Sequence, residues 1–167
     1  MIGNRGLIVI ATVAAGLPWG VSAQTLLTER TISFAAAQDA ATAALDRCRK
    51  DGYRVTVTVL DRSGQTKVVL HDDGANPHTI ENSLRKAYTS LTFRVPSGEY
   101  GKRVTANPAL AGALHLDKIT TLEGALPIRA GNELVGAIGV SGAPGGDKDA
   151  ACAQSGIDRI AKGLGDG

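Results

Sequence analysis

Apolar side chains recur at Phe34, Ala37, Ala41, Ala44, Leu45 and Cys48, a spacing that lines one face of a helix. Ser33 stands before this run as an N-cap, and Gly52 follows Lys50 and Asp51 as a stop. Tyr53 to Leu60, YRVTVTVL, then alternates with period two and predicts a strand. Asp61-Arg62-Ser63-Gly64 is a turn, Gln65 to His71 the return strand of a hairpin, and Asp72 to Pro77 a loop. Helical spacing resumes from about Thr79 to Phe93, with Ile80, Leu84, Ala87 and Leu91 on the inner face, and Pro96 ends it. Ser97 to Val104 and Asn107 to Ala113 read as short helices. Gly124 to Ala130 and Glu133 to Val140 form a second hairpin across Gly131-Asn132. Asp147 to Lys162 is a final helix, with Ala151, Ile157, Ile160 and Ala161 apolar. Hairpins in place of βαβ crossovers predict an antiparallel sheet covered by helices, an α+β domain.

The second hairpin leads into ELVGAIGVSGAPGGDKD, where Gly136, Gly139 and Gly142 recur every third residue. Glycine weakens a strand, so three suggest that a ligand or a neighbouring subunit lies close against the backbone. The turn is no P-loop, because Gly146-Asp147-Lys148 stands where Gly-Lys-Ser/Thr is needed. It is no dinucleotide fingerprint either, since a single helix follows it. Ser141 lacks the G-x-S-x-G order of a hydrolase elbow. Asp147 and Asp149 are explained by the dipole of the helix they begin.

Ahead of these elements, Arg5, the uncharged run Leu7 to Leu17, the breakers Pro18 and Gly20, and Val21-Ser22-Ala23 read as a signal peptide. The expectation is cleavage before Gln24, a mature domain spanning 24–167, and a periplasmic or secreted location. Of 18 basic and 16 acidic residues only Arg5 lies in the leader, so the mature domain is almost neutral. With no basic stripe carrying interleaved aromatics, nucleic acid is a poor partner. Cys48 and Cys152 belong to no CxxC or metal-site spacing. In an oxidising compartment they either pair or remain two buried thiols.

VTVTVLDRSG, Asp73-Gly74-Ala75, Arg85-Lys86-Ala87, Asn107-Pro108-Ala109-Leu110, Leu126-Pro127-Ile128 and VGAIGVSGAPGGDKD occur in one order across the domain. In that ordered set the chain resembles the GlcG/HbpS family, also called the haem-degrading domain family. The leader and Arg85-Lys86-Ala87-Tyr88-Thr89 look most like its secreted haem-binding branch. The resemblance implies a profilin-like α+β sandwich that forms dimers and often octamers. It also implies haem, or a related tetrapyrrole, bound at an exposed groove. Some members degrade haem, some are linked to cobalamin or glycolate metabolism, and some present haem to a sensor kinase, so whether this chain is an enzyme stays open.

In the secreted branch the proposed iron ligand is a threonine after the proline that follows the RKA helix; here that position is Ser97, its side chain expected to point outward. Arg94 and Arg103 flank it and are expected near the propionates. Imidazole is the usual haem ligand, so His71, His78 and His115 are candidates, each with the plainer reading of a loop histidine. His78 ranks first because it lies beside the second helix. Lys86, mid-helix near the inner stripe, suits a propionate or a small carboxylate; a lysine paired with Glu81 or Asp61 is the alternative. The expected function is that of a protein that scavenges, buffers or reports haem, with slow haem breakdown as a second chemistry. The competing expectation is a glycolate-linked accessory protein or enzyme for a small carboxylate, without haem.

Overall fold

The Ser33 hydroxyl accepts the Ala36 amide and starts α1, Phe34–Lys50. The structure, a computed structural model, describes residues 26–165. The expected signal peptide and its expected cleavage point lie outside the described residues. Strands β1 (Thr56–Asp61) and β2 (Thr66–His71) form the first hairpin. Helices α2 (His78–Phe93) and α3 (Ser97–Ala106) and a 3-10 stretch (Pro108–His115) come next. Strands β3 (Ala125–Ala130) and β4 (Glu133–Ser141) form the second hairpin, and α4 (Gly146–Leu164) closes the order.

Every pairing is antiparallel, in the order β2-β1-β4-β3. The two hairpins therefore join through β1 and β4. The expected α+β class holds. No helix among the described residues is long and apolar enough to cross a membrane.

Both faces of the sheet are covered, and they differ in chemistry. On one face Val57, Val59, Ile138 and Val140 pack against Ala37, Ala41, Ala44 and Leu45 of α1 and Ala153 and Ile160 of α4. Cys48 of α1 and Cys152 of α4 are bonded as a disulfide, with Cα atoms 5.6 Å apart. Of the two readings left open by the sequence, the bridged one holds. On the other face, under α2, β1 presents Thr56 and Thr58, both fully buried. Thr56 Oγ1 lies 2.7 Å from Thr79 Oγ1, and Thr58 Oγ1 lies 2.7 Å from Ser83 Oγ.

This polar face overturns two expectations. Ile80 is not on the inner side of α2 but 47% exposed, because Thr79 and Ser83 take the positions over the sheet. Nor is an outside molecule needed to account for the close approach at the strand glycines. A Cβ on Gly139 would strike the Ser83 carbonyl oxygen and the Ala87 amide of α2, and one on Gly142 would strike the Arg54 carbonyl oxygen. The close neighbour is the chain itself. Phe34 also departs from its expected inner position: it opens α1 on the outside, 60% exposed.

Asp72 fixes the loop that leads to α2. Its amide donates to the Val55 carbonyl, and Oδ1 accepts from Arg49 Nη2 at 2.7 Å and Nε at 3.1 Å. The Arg49 guanidinium holds this buried carboxyl below its usual range.

The disulfide and the Asp72 contacts can be tested separately. The bridge closes a long stretch of chain, its cysteines separated by 104 positions. Cys152→Ser should lower unfolding stability by roughly 4 kcal/mol in oxidising buffer, read by denaturant titration. Equal midpoints for variant and wild type would remove the bridge as a source of stability. For Asp72 the folded pKa is depressed. Its contribution is thus present above the unfolded carboxyl value of about 3.9 and lost as pH falls through the folded value. The stability gap between wild type and Asp72→Asn should be widest near neutral pH and shrink below about pH 4. A gap that stays constant from neutral pH into that acid range would refute the linkage.

Candidate functional site

Helix α2 has seven buried positions, and one of them is Lys86. A long cation is stable in such a place only if its charge and its donors are met. Its Nζ donates to Asp149 Oδ2 at 2.7 Å and to the Val140 carbonyl at 3.0 Å. Asp149 lies in α4, is 2% exposed, and accepts the Ala143 amide at 3.0 Å through Oδ1. Burial is the largest influence on this carboxyl and pushes its pKa upward, against the pull of Lys86 and of the loop amides. One ion pair thus ties α2, β4, the turn after β4, and α4 together.

Space for the pair comes from Gly124, whose φ is +132°. A Cβ there would lie 2.8 Å from Lys86 Nζ and 2.8 Å from the Asp149 Cβ. Beside the pair opens a cleft of about 480 Å³ between the start of α2, the segment at Leu122-Glu123, and the turn Ser141 to Gly146. His78 stands at its rim, fully outside the core. Leu122, 48% exposed, Ala143 and Pro144 are apolar members of a lining that also holds Asn76, Glu123 and Ser141.

The predicted site residues do not all meet here. His78 and Lys86 share the cleft. Lys86 is paired with neither Glu81 nor Asp61; Glu81 instead pairs with Arg85 at 2.7 Å. The acid that meets the Lys86 charge is Asp149, where the sequence suggested a propionate or a small carboxylate. Ser97 does not point outward. It is fully buried, and its Oγ accepts the Ala125 amide at 3.0 Å, so α3 caps the start of the edge strand β3. Arg103 is an exposed partner of Glu99 on α3. Arg94 lines a separate cleft at the far end of α2, about 24 Å from His78 at helical rise. Neither arginine borders the His78 cleft.

Sequence reasoning missed Asp149 and Gly124. Asp149 has a sufficient local explanation at a helix start. A glycine ahead of a strand, as Gly124 is, offers no sign of which side chain it makes room for.

The His78 cleft sets an imidazole, the usual ligand type for haem iron, beside Leu122, Ala143 and Pro144. Residues 32–158 match the family model described as "Haem degrading protein HbpS-like". The chain belongs to that family. A double mutant of Streptomyces reticuli HbpS is 35% identical, with a TM-score of 0.76, covering 87% of this chain and 97% of that one. A PduOC:haem complex is 26% identical, with a TM-score of 0.72, covering 78% of this chain and 95% of that one. An uncharacterised 15.0 kDa protein from the dhaT-dhaS intergenic region of Citrobacter freundii is 31% identical over 67% of this chain and 80% of its own length. The HbpS-like assignment fits the haem-related function expected from the sequence and does not favour the small-carboxylate alternative.

The buried pair makes a prediction of its own. Lys86→Met or Asp149→Asn leaves one charge or its donors unmet in the interior, at about 3–5 kcal/mol of stability. The double variant Lys86→Met/Asp149→Leu should recover most of that loss, because an apolar pair of similar volume replaces the ions. A denaturant double-mutant cycle reads the coupling. Additive losses in the double variant would mean that the two side chains are energetically independent.

Proposed function

We propose that this HbpS-like protein is an exported haem-binding protein whose work is to scavenge, buffer or report haem. The observation that carries the reading is the His78 cleft, an exposed imidazole beside Leu122 and Pro144, in a chain of this family. His78 is the residue to hold the iron, and the apolar rim is the surface to meet the macrocycle. Haem, when bound, supplies the iron and any redox chemistry. The chain supplies the imidazole, and the Lys86–Asp149 pair holds the cleft walls in place without contributing charge to the ligand.

Ser97 is the weaker choice of ligand. Its oxygen already serves a buried backbone amide, so coordination would leave that amide unpaired, at about 1–3 kcal/mol. Arg94 and Arg103 lie outside this cleft, so neither would pair with the propionates of a haem held by His78. A rim ligand suits a protein that passes haem on.

The experiment is a hemin titration of mature protein collected after export, with an intact mass that starts at Gln24. Wild type should give a saturable Soret change. His78→Ala should weaken binding by about ten-fold or more, equivalent to about 1.4 kcal/mol or more. Ser97→Ala should lower unfolding stability and leave the Soret spectrum as in wild type. If Ser97→Ala abolishes the Soret change and His78→Ala does not, the ligand assignment is wrong. Absence of any saturable change with wild type would end the haem reading.

A further inference from the structure

The far end of α2 carries a second cleft, of about 460 Å³, bounded by the β1–β2 turn, the end of α2 and the β3–β4 turn. Three arginines line it, Arg62, Arg94 and Arg129. One carboxylate, Glu133, shares the lining and is bound to Arg62 at 2.7 Å. Arg129 is held by neutral acceptors, with Nη1 donating to the Asn132 carbonyl and Nη2 to the Arg94 carbonyl. Among the described residues neither Arg94 nor Arg129 has a carboxylate partner. Tyr88 and Leu91 of α2 form the inner wall.

Arg94 adds an independent observation. It terminates α2 in the left-handed region, at φ 59° and ψ 27°. Glycine, or next asparagine, is the residue that suits this position, and a long β-carbon-bearing side chain is strained there. Local backbone preference therefore works against arginine at 94. Arg94 is exposed and lines the cleft, and its backbone carbonyl accepts from Arg129 Nη2.

We propose that this cleft is a binding site for a small organic anion, one that carries a carboxylate or a phosphate on a compact apolar body. Arg94 and Arg129 take the anionic oxygens, in the paired N–H geometry that guanidinium offers. Tyr88 and Leu91 take the apolar part. Glu133 holds Arg62 in place and keeps the site from accepting highly charged polyanions. The site is distinct from the His78 cleft and does not depend on haem.

The test uses the mature, disulfide-bonded protein at constant ionic strength. Phenyl phosphate, benzoate and inorganic phosphate are the three probes, with binding read by calorimetry and thermal shift. Phenyl phosphate or benzoate should bind saturably and more tightly than inorganic phosphate, and whichever is tighter identifies the anionic group. Arg94→Gly should be at least as stable as wild type, because it relieves the left-handed strain, while its affinity for the organic anion falls about ten-fold or more. Its hemin titration should be unchanged. The proposal is overturned if none of the probes binds saturably, if inorganic phosphate binds as tightly as both organic probes, or if Arg94→Gly binds them as wild type does.

Discussion

Helix α2 lies so close to the sheet that no side chain fits beneath it at Gly139. This approach governs much of the rest. It brings the hydroxyls of Thr79 and Ser83 onto those of Thr56 and Thr58, and it lets a lysine one turn further on reach both the Val140 carbonyl and a carboxylate of α4. A larger residue at 139 would lift the helix, separate these pairs, and leave each buried group unmet. An interface made of small polar groups tolerates less displacement than an oily one, because each hydrogen bond has one geometry.

Much of the fold is legible in the chain. The period-two run of β1, the Ser33 cap, the Gly131-Asn132 hairpin and the element order all rest on local signals, and local signals suffice for them. Facing is where they fail. Periodicity places Ile80 inward because apolar residues usually are, yet its helix packs on a threonine row. The glycines of β4 read as making room for something outside the chain, whereas α2 fills that room at Gly139 and Leu60 and Ile32 fill it at Gly136. A sequence records that space is needed and says nothing of what occupies it.

The site is legible only in part, for the same reason. Lys86 draws attention as a cation near an apolar stripe. Its partner stands 63 residues away and is already accounted for as a helix-dipole acid. Ser97 is reached through a family position, which carries no information on where an oxygen points. Its direction is set by Ala125, an edge-strand residue with an amide to satisfy. Pairings that depend on two distant segments meeting cannot be found from either segment alone.

The two faces of the sheet divide the work. The α1–α4 face is apolar, alanine-rich, and cross-linked by Cys48–Cys152, so it carries much of the stability. The α2 face is thin, hydroxyl-bonded and held by one buried ion pair, and both clefts lie at the ends of its helix. Its apolar cluster, Leu60 and Ala137 under Ala87 and Leu91, is smaller than that of the opposite face, so it contributes less from burial. In return it fixes direction: the helix can neither roll nor slide without breaking Thr56–Thr79, Thr58–Ser83 and Lys86–Asp149 together. A rigid α2 holds His78 at one end and Arg94 at the other at a set distance from the sheet. The cross-linked face makes that rigidity possible, because the polar face need not supply the stability of the whole domain.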